Sequence, residues 1–223
     1  MKQLTLDVRP APRPSFENFV AGANAELLMR LRGLHEVAAG ESIYLWGATG
    51  SGRSHLLQAA VAAYAKEAKA VYIRASEVRE DLPAEEGLLL AIDDVEQLAP
   101  AAQIALFRCH NLLREKKSRL LLSASAPPLK LNLREDLRTR LGQALIFEVK
   151  PLTDEEKAAT LATHAHNRGM RIAPELVNYL LRHVKRDLPS LMAVLDALDD
   201  ISLEQKRPLT LPLLRDTLEN LFS

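Results

Sequence analysis

The chain has 223 residues, enough for one α/β domain with a small appendage around a sizeable core. Apolar residues make up 48% and charged residues 26%, the profile of an ordinary globular protein. Lys plus Arg and Asp plus Glu both number 29, so the formal net charge is zero, which argues against a general nucleic-acid coat with its basic footprint.

The chain opens on "QLTLDV" and "RPAPRP", where Pro10, Pro12 and Pro14 alternate with other residues. Each proline fixes its own φ and pushes the residue before it toward extended geometry. Residues 1–14 therefore read as an extended arm with a semi-rigid spacer, rising about 3.1 Å per residue. The start lacks the long apolar core of a signal peptide. The longest pure apolar run, 88–92, is far too short for a membrane span, so a cytoplasmic protein without a membrane partner is expected.

Residues 15–150 alternate helices and strands. A helix over 24–38 precedes the strand "SIYLW" at 42–46, and a glycine loop leads into a helix over 53–67 with Leu56, Leu57, Ala60, Val61 and Tyr64 at helical spacing. "AVYIR" (70–74) and "LLLAI" (88–92) read as strands. A helix over 101–117 follows, then strands at 119–124 and 144–149. Near-continuous apolar strands of this kind suit a parallel five-stranded sheet covered on both faces. Cys109, the only cysteine, excludes an internal disulfide and a cysteine-rich metal site, and within "IALFRCHNLL" it reads as a small buried apolar group.

Residues 151–223 are helical throughout. Thr153 followed by Glu156 forms a capping box, "NRG" at 167–169 stops that helix, and three more helices follow. His164 and His166 would lie on different faces of a helix without partners and read as surface residues.

The chemistry sits in the core. Gly47-Ala48-Thr49-Gly50-Ser51-Gly52-Arg53-Ser54 fits a strand–loop–helix phosphate cradle at every position but one, Arg53 standing where lysine is usual. Glycines let backbone amides turn toward phosphate oxygens, the helix N-terminus adds its dipole, and Ser54 offers a hydroxyl to Mg²⁺. Guanidinium is wide and planar where ammonium is a compact point charge, so holding nucleotide is expected to survive better than hydrolysing it. "LLLAIDDVE" places Asp93 to hold the Mg²⁺ shell and Asp94 near the attacking water. Ser123 and Ser125 end the fourth strand, as γ-phosphate contacts or as ordinary loop serines. In "LREDLRTRLGQ", Arg138 and Arg140 are candidates for an arginine finger or for surface ion pairs.

The loop, the acid pair, the arginine box and the helical tail together resemble the DnaA-like AAA+ family. "SFENFVAGANAEL" is similar to the segment of that family over the adenine base, which implies Phe19 and Val20 there. "LRTRLG" resembles the family's arginine box and puts the finger at Arg140. "QLTLDV" resembles the peptide that docks on the replication sliding clamp, implying Gln3, Leu4, Leu6 and Val8 as clamp contacts, with Asp7 where proline is more usual. The chain stops at Ser223, just after the helical tail, so no direct sequence-specific DNA binding is expected.

With "GRSHLL", the pattern resembles the Hda-type regulatory inactivators within this family. That resemblance implies an AAA+ core (15–150) with a helical lid (151–223), tethered by the arm (1–14) to the DNA polymerase III β clamp. It implies ADP, or ATP, with Mg²⁺ at Gly47, Thr49, Gly50, Ser51, Gly52, Arg53, Ser54 and His55. It also implies Arg140 acting beside ATP held by the initiator DnaA. Pro189 stands where the family carries a lid arginine, leaving Arg186 as the substitute. Ser125 and Ala126 replace a polar–basic pair. An autonomous helicase-loader-like ATPase, a nucleotide-stabilised adaptor, and a homodimer or higher oligomer stay open.

Overall fold

The structure, a computed structural model, describes residues 13–36, 40–185, 187–205 and 207–222. Clamp-contact candidates Gln3, Leu4, Leu6 and Val8, and the lid candidate Arg186, lie outside the described residues. The chain divides into two compact units, Pro14–Pro151 and a unit that takes in everything from Leu152 onward.

The first unit is built on five parallel strands: β1 (Ser42–Trp46), β2 (Ala70–Arg74), β3 (Leu89–Asp93), β4 (Arg119–Ala124) and β5 (Leu145–Glu148), in the order β2-β3-β4-β1-β5. Successive side chains of a strand point to opposite faces, so an apolar run feeds two cores. Ile43, Leu45, Leu89, Ala91 and Leu121 pack on one face with α1 (Ala25–Arg32) and α2 (Arg53–Tyr64). Tyr44, Leu90, Ile92, Leu120 and Leu122 pack on the other with α3 (Pro100–Glu115) and α4 (Glu135–Leu141). Every residue of β3 is buried. Cys109 is buried in the α3 core, as its sequence setting predicts.

Local deviations have local causes. The first helix is shorter than the expected 24–38: α1 ends at Arg32, where Gly33 caps it through its N–H to the Met29 carbonyl. α3 starts one residue earlier than expected, with Pro100 at its first turn, where a missing N–H costs nothing. The fifth strand is not covered on both faces. β5 lies at the sheet edge, with Leu145 and Ile146 exposed.

The second unit packs α5 (Asp154–Asn167), α6 (Pro174–His183), α7 (Leu188–Gln205) and α8 (Leu211–Phe222) around its own core, including Leu161, Leu180, Leu191, Leu195 and Leu214. The capping box is present: Thr153 Oγ1 accepts from the Glu156 N–H at 3.1 Å, and the Thr153 N–H donates to Glu156 Oε2 at 2.8 Å. α5 ends before Gly169, whose φ of +75° closes the helix in the left-handed region. His164 corrects the expectation of two unpartnered surface histidines, because its Nε2 lies 2.7 Å from Asp196 Oδ1. Arg168 reinforces the same seam through Asp196 and Asp199. Helical periodicity places a side chain on a face but does not say which helix arrives there.

Candidate functional site

β1 ends at Trp46 and the chain turns through residues 47–52 into α2. Gly47 lies where β1 and the end of β5 converge. A Cβ there would run into the Val149 carbonyl oxygen and meet Ser51 Oγ at 2.9 Å. Thr49 and Gly50 form the exposed tip of the loop. Gly52 has φ of +98°, open to glycine at little cost, and a Cβ there would stand 2.8 Å from the Phe19 ring. α2 starts without a side-chain cap, so the N–H groups of its first turn point along the axis into the loop.

The segment before α1 is pinned over this loop. Phe16 is buried in the α1–α2 core. His55 Nε2 donates to the Ser15 carbonyl at 2.9 Å, and its ring lies 5.4 Å from that of Phe19. Asn24 is buried and clips the segment to the chain beyond β5. Its Nδ2 donates to the Lys150 carbonyl and its Oδ1 accepts the Lys150 N–H, both at 2.8 Å. Phe19 and its half-buried neighbour Val20 are thus held beside the loop.

Asp93 ends β3 with 3% of its surface exposed. Both carboxylate oxygens have hydroxyl donors from the flanking strands. Ser123, on β4, donates to Oδ1, and Tyr72, on β2, donates to Oδ2 at 2.7 Å. Burial, and then the bond to Asp93, push the Tyr72 phenol up to about 12. The next residue, Asp94, takes a left-handed backbone with φ of 55°, uncommon for a non-glycine residue, and its N–H donates to Ser123 Oγ at 3.0 Å.

Arg53 is buried, at 8% exposure, and turns toward the acids. Its Nη2 stands 3.3 Å from Asp94 Oδ1 and its Nη1 4.0 Å from Glu96 Oε1, while Nη1 has no hydrogen-bond partner. Glu96 Oε1 in turn accepts the Ser125 N–H at 2.9 Å. Burial raises the Asp94 carboxyl above its ordinary range, and Asp93 adds to the rise while Arg53 opposes it. Ser125 itself is exposed, so of the two β4 serines it is Ser123 that joins the acids.

The residues present fit a nucleotide phosphate with a divalent cation. Ser51 Oγ is buried without a hydrogen-bond partner at the inner wall of the loop, which suits an incoming acceptor or donor. The uncapped first turn of α2 faces the same loop. The half-exposed Ser54 in that turn and the fixed Asp93 carboxylate supply hard oxygen ligands for a cation.

Arg140 lies in the last turn of α4, its guanidinium 5.9 Å from the centroid of the Phe107 ring. Among the described residues it makes no ion pair, in contrast to Arg134, which is paired with Asp136 at 2.9 Å. Burial first, and then the charges of Arg140 and Arg114, hold His110 below the usual imidazole range.

Residues 154–218 match the family described as Hda, lid domain. Domain III of the Thermotoga maritima replication initiation protein DnaA is similar over 94% of this chain and 97% of its own, at 18% identity and a TM-score of 0.72. AMPPCP-bound DnaA from Aquifex aeolicus is similar over 87% of this chain and 70% of its own, at 20% identity and a TM-score of 0.67. A Thermotoga maritima RuvB mutant is similar over 94% of this chain and 73% of its own, at 16% identity and a TM-score of 0.69. The fold is that of an AAA+ core followed by a helical lid.

Two residues of the site escape sequence reasoning. Tyr72 is simply one residue of the strand "AVYIR", and Glu96 follows the acid pair without belonging to it. Each becomes visible when strand order sets β2 and β4 on either side of β3. Among the described residues no helix is long and apolar enough to cross a membrane.

Proposed function

We propose that the chain is a nucleotide-holding regulator of replication initiation that acts on the initiator DnaA. It holds ADP, or ATP, with Mg²⁺, docks on the DNA-loaded sliding clamp, and stimulates hydrolysis of ATP bound to DnaA through Arg140 supplied in trans. The observation that carries this reading is a contrast between two arginines. Arg53, in the place of the loop's cation, is engaged by Asp94 and Glu96, whereas Arg140 has no acidic partner among the described residues.

The residues divide the work. Backbone amides from Gly47 to Gly52 and the first turn of α2 cradle the phosphates, with Arg53, Ser54 and His55 opening the helix. Ser54 and Asp93 hold the cation, whose charge offsets that of the phosphates. Phe19 and Val20 cover the base. Gln3, Leu4, Leu6 and Val8 bind the clamp as a short extended peptide, weak alone and strengthened by effective concentration once both partners sit on one DNA. Asp94 would orient water in an active ATPase, but paired with Arg53 it is poorly placed to do so here, which favours holding over turnover. A guanidinium inserted in trans neutralises charge growing on the transferred phosphoryl, worth roughly 10³–10⁵ in rate in known cases, and needs no hydrolysis in its donor's pocket.

The test is ATP hydrolysis by ATP-loaded DnaA in the presence of DNA-loaded clamp and this chain. Arg140→Ala is expected to bring stimulation to background with ADP binding unchanged. Gln3→Ala with Leu4→Ala is expected to end clamp binding and lower stimulation. Full stimulation by the Arg140→Ala protein removes the finger from this residue.

A further inference from the structure

Asp93 is almost wholly removed from water, so its charge depends on protein donors. An aspartate carboxylate rotates through a broad, roughly two-fold torsion, and a donor on one oxygen leaves that rotation soft. Here the donors arrive on both oxygens from opposite sides. β3 pairs with β2 through Arg74 and Asp93, and with β4 through Ile92 and Leu122. Ser123, one step beyond Leu122, therefore lies beside Asp93 on one flank, and Tyr72 reaches it from the other.

The two hydroxyls have different duties. Ser123 Oγ also accepts the Asp94 N–H, so it serves the left-handed turn as well as Asp93. The Tyr72 phenol has one proton, and that proton goes to Asp93 Oδ2; Gln58, one turn along α2 from the phosphate loop, donates to the phenol oxygen at 3.5 Å. Each carboxylate oxygen offers two acceptor sites, so one hydroxyl on each leaves a lone pair on each for a further ligand.

We propose that Tyr72 is a positioning residue for the divalent cation of the nucleotide site: its hydroxyl locks the Asp93 carboxylate in the plane from which the free lone pairs meet the cation's coordination shell. The ring of Tyr72 packs against the α1–α2 core, a role phenylalanine would fill equally well. The hydroxyl is what the cation needs. Hydrogen-bond partners behind a ligating carboxylate fix its orientation, and removing one costs about 10–100-fold in metal affinity. This inference rests on the nucleotide and Mg²⁺ reading above.

The experiment is calorimetric titration of the full-length, nucleotide-stripped protein with ADP, once with Mg²⁺ and once with EDTA, for the natural chain and for Tyr72→Phe. In the natural chain Mg²⁺ should tighten ADP binding. In Tyr72→Phe the affinity in EDTA should stay within about twofold while the tightening by Mg²⁺ shrinks by about tenfold. Thermal melts of both proteins in EDTA report whether the variant folds. Tyr72→Leu, which removes ring and hydroxyl together, should show the same loss of Mg²⁺ tightening with a lower melting temperature. Equal losses in Mg²⁺ and EDTA would mark Tyr72 as structural and overturn the proposal, as would an unchanged Mg²⁺ effect in Tyr72→Phe. A natural chain that binds ADP without any Mg²⁺ effect, or binds no ADP, overturns the cofactor reading itself and this inference with it.

Discussion

Arg53 Nη2 lies 3.3 Å from Asp94 Oδ1, so the cation of the phosphate loop is bound by an acid at the end of β3. A lysine in that position would bring a compact ammonium on a flexible stem. The guanidinium is a planar fork that spans Asp94 and Glu96 together. The arrangement ties α2 to the sheet and occupies the carboxylate that would otherwise orient water.

Removing that fork leaves two partly buried carboxylates without their counter-charge. Arg53→Ala is expected to lower stability by about 1–3 kcal/mol, below the figure for a fully buried pair because Asp94 and Glu96 are a third and a quarter exposed (34% and 25%). Urea unfolding of the natural chain and the variant measures it. An unchanged midpoint would mean that the ion pair contributes nothing.

Gly52 is constrained twice, by its φ of +98° and by the Phe19 ring 2.8 Å from where a Cβ would lie. Gly52→Ala is expected to cost about 1–3 kcal/mol from backbone strain and to push Phe19 off the loop, weakening ADP binding. Adding Phe19→Ala relieves the collision and leaves the backbone strain, so the double variant should be less destabilised than the sum of the two single ones. Strict additivity in thermal melts would show that the ring and the loop are not coupled.

Burial pushes the Cys109 thiol up to about 11 from 9.0. The folded state thus favours the neutral thiol, and its linkage to pH has a definite sign. Below pH 9.0 thiol ionisation leaves stability unchanged, and from there to about 11 stability falls as the unfolded chain ionises first. Alkylation by iodoacetamide at pH 8 should be slow in the native protein and fast after unfolding. Rapid native labelling would show that α3 opens readily.

The legible part of the site is the part written in consecutive residues. The phosphate loop, Asp93 and Asp94 at the end of β3, and the Thr153–Glu156 box each need only neighbours in sequence, and the structure has each as a loop, a strand end and a cap where the pattern sets them. Apolar spacing runs past Gly33 and so predicts a longer first helix, whereas the stop depends on the Gly33 N–H closing onto the Met29 carbonyl.

By itself the sequence determined which segments form apolar strands, where the phosphate loop opens a helix, and which acids stand at the end of β3, because steric and periodic rules act over a few residues. Tertiary structure alone decided that Tyr72 and Ser123 flank Asp93, that Arg53 turns to Asp94 and Glu96, and that Phe19 lies against Gly52. These contacts join groups distant in the chain. Strand order and parallel register set which side chains meet, and no local propensity encodes that.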